Sequence, residues 1–213
     1  MKLKIRFHLR ENQSGKEIDG PHFAIIATCN YEFCMWQLVE GQPLPQGFIF
    51  KEFTVIQFIV GIDPGKDGGV AVLDRSGDVL QLSRMPLNSE KEIDACALSL
   101  FGETHEAFCY IERAFCMPMQ STTSTFTCGI GYGKLIAAIE LKGIPYDEIR
   151  AQKWKKYFGL LKKEKIASVE LATSIFPKIK HMLYTPRGRM LDGLAEALLI
   201  AEYGRRVLVG AIK

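Results

Sequence analysis

The stretch that decides the fold is Ile56-Gln57-Phe58-Ile59-Val60-Gly61-Ile62-Asp63-Pro64-Gly65. A short apolar run that ends in a Pro-Gly turn is typical of a strand buried in a sheet. Asp63 stands at the end of this run, where the backbone would hold its carboxylate at the edge of the core. The stretch therefore predicts a central strand with an acidic side chain at its carboxyl end.

Beyond this strand the sequence alternates between strand and helix patterns. Residues 70–73 and 79–82 are apolar runs joined by turn residues, which predicts an antiparallel meander. Residues 107–112 and 143–149 predict two more strands. Helices are predicted over 89–101, over 120–142, through 168–172 and through 189–201. The predicted class is α/β, with a mixed five-stranded sheet flanked by helices.

Residues 1–54 differ from the rest of the chain, because they show no clear periodicity beyond strand-like pieces such as 23–27. The sequence predicts an N-terminal extension of poorly defined structure over 1–54 and one domain over 55–213. Since the sheet can begin with its own central strand, we expect the extension to be dispensable for the activity of that domain.

The predicted helix over 120–142 is unusual in its glycine content. A glycine in a helix costs about 1 kcal/mol relative to alanine, so several together favour a close approach by another backbone. A second subunit or a substrate could make that approach. The glycines are Gly129, Gly131 and Gly133, and the apolar residues on one face are Phe126, Ile130, Ala137 and Leu141.

Three more acidic residues stand, like Asp63, where a strand or a helix would fix them while presenting them to solvent. Glu112 ends the apolar run 107–111, and Asp192 and Glu196 lie four apart in a helical stretch, which puts them on one helix face. Like charges so placed repel unless a cation lies between them, and Mg²⁺ or Mn²⁺ takes oxygen ligands of this kind. The four carboxylates predict a divalent-metal centre, with two ions per site if the reaction is phosphodiester hydrolysis.

Three of the four acids also have a plainer interpretation. Asp63 could simply form the turn before Pro64, since aspartate is favoured there. Glu112 could pair with Arg113 or with a lysine, because an unpaired acid at the end of a buried strand is costly. Glu196 could be a solvated helix position.

Positive charge is concentrated in one segment of the chain. The 27 Lys and Arg residues against 24 Asp and Glu residues leave a net charge of +3, which does not by itself indicate a nucleic-acid partner. Between Arg150 and Lys165, however, the single acid Glu164 stands among basic residues. This block favours a phosphate-binding surface, although such a block taken alone is more often a solvated face.

The sequence predicts a soluble protein with no membrane partner, since no apolar run of about 18 or more residues occurs. The six cysteines show no disulfide-framework spacing. We therefore expect a reducing compartment, the cytoplasm.

Four motifs taken together resemble a known family. They are Gly61-Ile62-Asp63-Pro64-Gly65, Ile111-Glu112-Arg113-Ala114-Phe115, the basic segment 155–165, and Asp192-Gly193-Leu194-Ala195-Glu196-Ala197-Leu198. In order and spacing they are similar to the RuvC family of Holliday-junction resolvases, and to its phage-type members most of all. The resemblance covers about residues 55–206.

The resemblance implies an RNase H-like fold, a homodimer and metal-dependent cleavage of four-way or related branched DNA. It implies that Asp63, Glu112 and Glu196 bind the metal together with Asp192, although bacterial members commonly carry that partner acid three positions before, not four. Phe115 matches an aromatic residue that stacks on bases at the crossover, and Lys165 matches a catalytic lysine near the scissile phosphate. The DNA-binding residues expected from the motifs and the basic block are Arg113, Phe115, Lys153, Lys155, Lys156, Lys163 and Lys165.

Two other functions stay open at this point. An actin-like or sugar-kinase ATPase also uses a turn of the Gly-Ile-Asp-Pro-Gly type, but it would need a second glycine-rich phosphate loop and usually a longer chain. A catalytically silent DNA-binding module of the same fold would bind branched DNA without cutting it. Phe115 could also be an ordinary core residue.

Overall fold

The computed structural model describes residues 23–29, 32–38, 56–98, 106–115 and 121–210. The chain divides into two units, one of Ile56–Arg205 and one of Met1–Val55 with Arg206–Lys213. In the second unit, strands β1 (Phe23–Cys29) and β2 (Glu32–Leu38) pair antiparallel. The strand-like piece at 23–27 is thus confirmed, and the other predictions for residues 1–54 lie outside the described residues.

The larger unit is built on one five-stranded sheet. Its strands lie in the order β5-β4-β3-β6-β7, with β3 antiparallel to β4 and parallel to β6. The α/β class with a mixed sheet flanked by helices is confirmed. The strands are β3 (Phe58–Asp63), β4 (Gly69–Asp74), β5 (Val79–Arg84), β6 (Ala107–Glu112) and β7 (Tyr146–Ile149).

Five helical segments accompany this sheet in the described part of the chain. The first, α1, begins after Ser121, whose hydroxyl accepts a hydrogen bond from the backbone N–H of Ser124 as an N-cap. None of the described helices is both long enough and apolar enough to cross a membrane. The segments are α1 (Thr122–Leu141), α2 (Ala151–Tyr157), α3 (Lys165–Ile175), a 3-10 helix (Pro177–Leu183) and α4 (Asp192–Leu208).

The two faces of the sheet bury different helices, because successive side chains along a strand point to opposite sides. On one face, Val60 and Ile62 join a core cluster with Leu135 and Ile139 of α1. On the other face, a side chain at Gly61 would collide with the backbone of Ala197 and Ala201 in α4. Only glycine at this central position lets α4 lie directly on the sheet.

The same close packing recurs at both ends of α4. A side chain at Gly204 would collide with the ring of Tyr110, and one at Gly193 would collide with the backbone of Asp67. The first turn of α4 therefore lies against the turn that follows Asp63. This contact places the acidic end of α4 at the carboxyl end of β3.

The predicted helix over 89–101 is wrong for the residues that the structure describes, 89–98, which form turns instead. Asn88 Oδ1 accepts hydrogen bonds from the backbone N–H groups of Glu90 and Glu92, at 3.0 and 2.9 Å. Asp94 Oδ1 likewise accepts from Cys96 and Ala97. These side chains compete with helical hydrogen bonding, and the helix is lost although Ile93 and Leu98 are still buried.

The glycine-rich helix α1 forms as predicted, but the apolar residues predicted to share one face point away from the core. Phe126 is 69% exposed and Leu141 is 88% exposed. The face toward the core is instead Gly131, Leu135 and Ile139, spaced four apart. A side chain at Gly131 would contact Ile93 at 2.9 Å, whereas Gly129 and Gly133 have nothing within 4 Å.

Candidate active site

Asp63 and Glu112 meet because β3 and β6 are parallel neighbours. Ile62 is in register with Ile111, so the next residue of each strand, Asp63 and Glu112, ends its strand at the same edge of the sheet. Asp63 lies two residues after Gly61, and Glu112 lies two residues after Tyr110, so each acid points to the same side of the sheet as that earlier residue. Gly61 and Tyr110 both face α4. The two acids are therefore on the side of the sheet that α4 covers.

Asp63 carries the electrostatic signature of a crowded acidic site. Burial, followed by the charges of Glu196 and Glu112, raises the pKa of Asp63 to about 7. The backbone N–H of Gly65 donates to Asp63 Oδ1 at 3.3 Å. Asp63 thus does form the turn that the plainer interpretation expected. The turn gives one carboxylate oxygen a hydrogen-bond partner, but it does not explain why Glu196 and Glu112 lie close to Asp63.

Glu112 is held by a residue that the sequence did not indicate. Trp154 of α2 is fully buried, and its Nε1–H donates to Glu112 Oε2 at 2.7 Å. Burial and the charge of Glu196 raise the pKa of Glu112, while the Trp154 hydrogen bond and Lys155 lower it. Its hydrogen-bond partner is therefore an indole. Of the two partners that the plainer interpretation offered, Arg113 or a lysine, a lysine does act on Glu112, through the charge of Lys155.

The two acids of α4 are each paired with a lysine. Lys155 Nζ of α2 lies 2.9 Å from Glu196 Oε1, and the side chain of Glu196 is only 14% exposed. Lys165, at the start of α3, donates to Asp192 Oδ2, which raises the pKa of Lys165. Glu196 is thus not a solvated helix position. It also accepts a hydrogen bond from the buried hydroxyl of Ser168, at 3.3 Å.

The four carboxylates do not form a closed metal-binding group. Among the residues that the structure describes, no three Asp, Glu, His or Cys side chains converge closely enough to hold an ion. The donor chemistry nevertheless fits a hard divalent cation, because Asp63 and Glu112 are buried next to further negative charge. The ammonium groups of Lys155 and Lys165 bind the carboxylate oxygens for which a cation would compete.

The remaining predicted residues lie at the surface. Phe115 is 75% exposed, so the alternative that it fills the core is wrong. Arg113 is also exposed, and its charge acts on Tyr132 of α1, so the structure does not place it with the carboxylates. The predicted lysines outside the ion pairs are exposed, and their side chains form no ion pair within the described part of the chain. They are Lys153, Lys156 and Lys163.

Sequence reasoning missed Trp154 and Ser168, which both contact the carboxylates. Trp154 is one of the two tryptophans of the chain and stands between Lys153 and Lys155, and that contrast was the available signal. Ser168 gave no signal in the sequence, since a serine in a helix is ordinary.

The fold and the site define an α/β protein with a lysine-flanked cluster of carboxylates at the ends of two adjacent parallel strands. No family model matches the chain, and no curated protein matches it. A solved structure of RuvC from Thermus thermophilus is 16% identical, with a TM-score of 0.46, and the match covers 71% of this chain and 97% of that one. RuvC from T. thermophilus in complex with a Holliday junction substrate is 17% identical, with a TM-score of 0.43, over 73% and 98% of the two chains.

Proposed function

We propose that this protein is a divalent-metal-dependent endonuclease that cuts four-way and related branched DNA by phosphodiester hydrolysis. The observation that carries the proposal is the convergence of Asp63 and Glu112 at one sheet edge with Glu196 and Lys155 beside them. Acids buried against one another without a closed shell of partners are unfavourable unless a cation compensates them. Such perturbed acids are typical of functional sites.

The residues that would hold Mg²⁺ or Mn²⁺ are Asp63, Glu112, Asp192 and Glu196, and we propose two ions per site. When bound, such ions activate a water molecule and neutralise charge that develops on the phosphate. The protein supplies the rest. Trp154 and Ser168 orient Glu112 and Glu196, because each donates a hydrogen bond to one carboxylate oxygen. A carboxylate so held keeps one orientation toward the ligand.

The lysines next to the acids provide the positive charge that a phosphodiester needs to approach an acidic centre. Lys165 is 78% exposed at its side chain, so its ammonium group can bind a phosphate oxygen without leaving the site. A compact ammonium charge stabilises the phosphate in the transition state. The exposed Lys153, Lys156 and Lys163 extend this charge along α2 and the loop before α3.

Branched DNA is the proposed substrate because the four sequence motifs occur together in order, and because Phe115 is exposed three residues after Glu112. An exposed ring three residues after Glu112 can stack on a base at the crossover, where the base stacking of a continuous duplex is interrupted. We further propose a homodimer, which would present two sites to the two symmetric strands of a junction.

A catalytically silent DNA-binding protein is the second candidate. The ion pairs of Lys155 with Glu196 and of Lys165 with Asp192 favour it, since lysines satisfy two acids without any metal. The two functions differ in one measurement. The enzyme cuts a synthetic four-way junction when Mg²⁺ or Mn²⁺ is present and stops when the metal is chelated, whereas the silent protein binds the junction and leaves it intact. A linear duplex serves as the substrate control.

A further inference from the structure

A short hairpin lies directly before the acidic helix, and neither the sequence motifs nor the proposed function uses it. We call residues 183–191 the basic hairpin. Tyr184 pairs antiparallel with Met190 as an isolated bridge, and the backbone N–H of Leu191 donates to the carbonyl of Leu183 at 2.9 Å. Leu183 is fully buried, so the base of the hairpin is anchored in the core.

The tip of the basic hairpin is a closed turn. The N–H of Gly188 donates to the carbonyl of Thr185 at 2.8 Å, and the N–H of Arg189 donates to Thr185 Oγ1 at 2.9 Å. Gly188 has φ of +78°, which favours glycine, and Pro186 restricts φ at the second turn position. Both features pre-organise the turn, so the side chains of Arg187 and Arg189 project from a fixed backbone.

The basic hairpin lies next to the proposed active site. The residue after Leu191 is Asp192, and the first turn of α4 packs on the backbone of Asp67 in the turn after Asp63. Arg189 Nη2 lies 3.5 Å from Asp67 Oδ1 across these two loops. Both side chains are mostly exposed, at 71% and 89%, so this ion pair contributes little to stability.

The basic hairpin and the 3-10 helix before it carry positive charge without any negative charge. Residues 177–191 contain no acidic residue, and all of their basic side chains are exposed. Arg187 makes no recorded ion pair or hydrogen bond within the described residues, which leaves its guanidinium free for a ligand. A guanidinium presents paired N–H donors that match two phosphate oxygens. The basic residues are Lys178, Lys180, His181, Arg187 and Arg189.

We propose that the basic hairpin is a second phosphodiester-binding element, in which Arg187 and Arg189 bind the DNA backbone beside the scissile phosphate. The inference rests on the proposed nuclease function and adds a binding site to it. A cluster of four acids repels a polyanion, so rigid cations on neighbouring loops are needed to hold the strand over the acids. Lys155 and Lys165 pair with two of the acids from α2 and α3. The basic hairpin lies beside the cluster in the loop before α4, where Arg189 pairs with Asp67.

The test compares junction binding by the wild type and by Arg187→Gln/Arg189→Gln over a range of salt concentrations, with a fluorescent four-way junction and a metal chelator to prevent cleavage. We expect about tenfold weaker binding and a salt dependence that is less steep by about 1 to 2 in the slope of log K against log salt. Lys91→Gln/Lys142→Gln removes the same charge from two exposed lysines outside the elements that carry the four acids. This control should match the wild-type slope.

Two further measurements separate the outcomes. Thermal stabilisation by Mn²⁺ alone should be unchanged in the arginine variant, because the carboxylates are intact. Arg187→Gln alone, at an exposed turn position, keeps the test valid if the double variant does not fold. A wild type that binds and cuts junctions, with an unchanged slope in the arginine variant, overturns the hairpin proposal alone. A wild type that neither binds nor cuts overturns the proposed function and the hairpin proposal with it.

Discussion

The indole N–H of Trp154 donates to Glu112 Oε2 at 2.7 Å, and this hydrogen bond joins the core of α2 to the acidic edge of the sheet. Trp154 is completely buried, so its ring is fixed by packing and its single donor is aimed at the carboxylate. A hydrogen bond to a charged group contributes about 1.5 to 3 kcal/mol. The orientation of Glu112 therefore depends on a residue that never needs to touch the substrate.

Trp154→Phe tests this dependence, because it retains most of the apolar volume and removes the donor. We expect cleavage to fall by about tenfold or more, with junction affinity close to that of the wild type. Phe108→Leu changes another buried aromatic residue, which lies in β6 and not on α2, and is the control for packing alone. Equal cleavage losses in the two variants at equal loss of melting temperature would assign Trp154 to packing.

The carboxylates should be separable from DNA binding. Asp63→Asn, Glu112→Gln and Glu196→Gln are expected to abolish cleavage, because the acids hold metal, whereas basic residues hold phosphate. Asp192→Asn should be severe as well. Glu170→Gln neutralises an exposed acid on α3 and is the matched control, with cleavage and junction affinity both unchanged. Normal turnover in the Asp63 or Glu112 variant would remove the proposed centre.

The raised pKa of Asp63 makes a prediction about stability and pH. A carboxyl with a folded-state pKa of about 7 and an ordinary value of 3.8 destabilises the metal-free protein progressively as pH rises from about 4 to 7. Above pH 7 the full penalty applies, on the order of 4 kcal/mol. Asp63→Asn should therefore raise the melting temperature at pH 8 and leave it nearly unchanged at pH 4.

The same experiment has a metal arm. Mg²⁺ or Mn²⁺ should stabilise the wild type, since a ligand that binds the folded state adds to its stability. The Asp63→Asn protein should gain less from the metal. Equal melting temperatures of the two metal-free proteins across the pH range would contradict the electrostatic account of Asp63.

Phe115 is expected to act on DNA and not on folding. Since its side chain is 75% exposed, Phe115→Ala should leave the melting temperature within about one degree of the wild type. Junction cleavage should fall, because base stacking on an aromatic ring contributes about 1 to 3 kcal/mol. Leu80→Ala, at an exposed apolar residue of β5, is the control. A large drop in melting temperature with normal specific activity would count against stacking.

The exposed face of α1 predicts how two copies meet. Gly129→Leu or Gly133→Leu adds a side chain where nothing lies within 4 Å, so the fold should persist while dimerisation weakens. Gly131→Leu is the contrasting variant, because its side chain would collide with Ile93 and lower stability. Sedimentation at micromolar concentration reads out the dimer. A monomeric wild type would contradict paired cutting.

The sequence alone was sufficient for the strands and for the acids at their ends. The apolar runs that end in Asp63 and Glu112 are short, sharply bounded and rich in β-branched or aromatic residues, and these features together favour strands over helices. The spacing of Asp192 and Glu196 determines that they share a helix face. The helix predicted over 89–101 was wrong for the described residues 89–98, because the hydrogen bonds that Asn88 and Asp94 accept from backbone N–H groups outweigh local helix propensity.

Tertiary structure alone decided which side chains complete the site. Periodicity states that Asp63 and Gly61 share a face, but only the close approach of α4 to Gly61 shows that this face meets Glu196. Trp154 and the basic hairpin come from segments 40 to 80 residues away from Glu112 in the chain. Contacts at such separation arise from packing of whole elements, and no local pattern of residues encodes them.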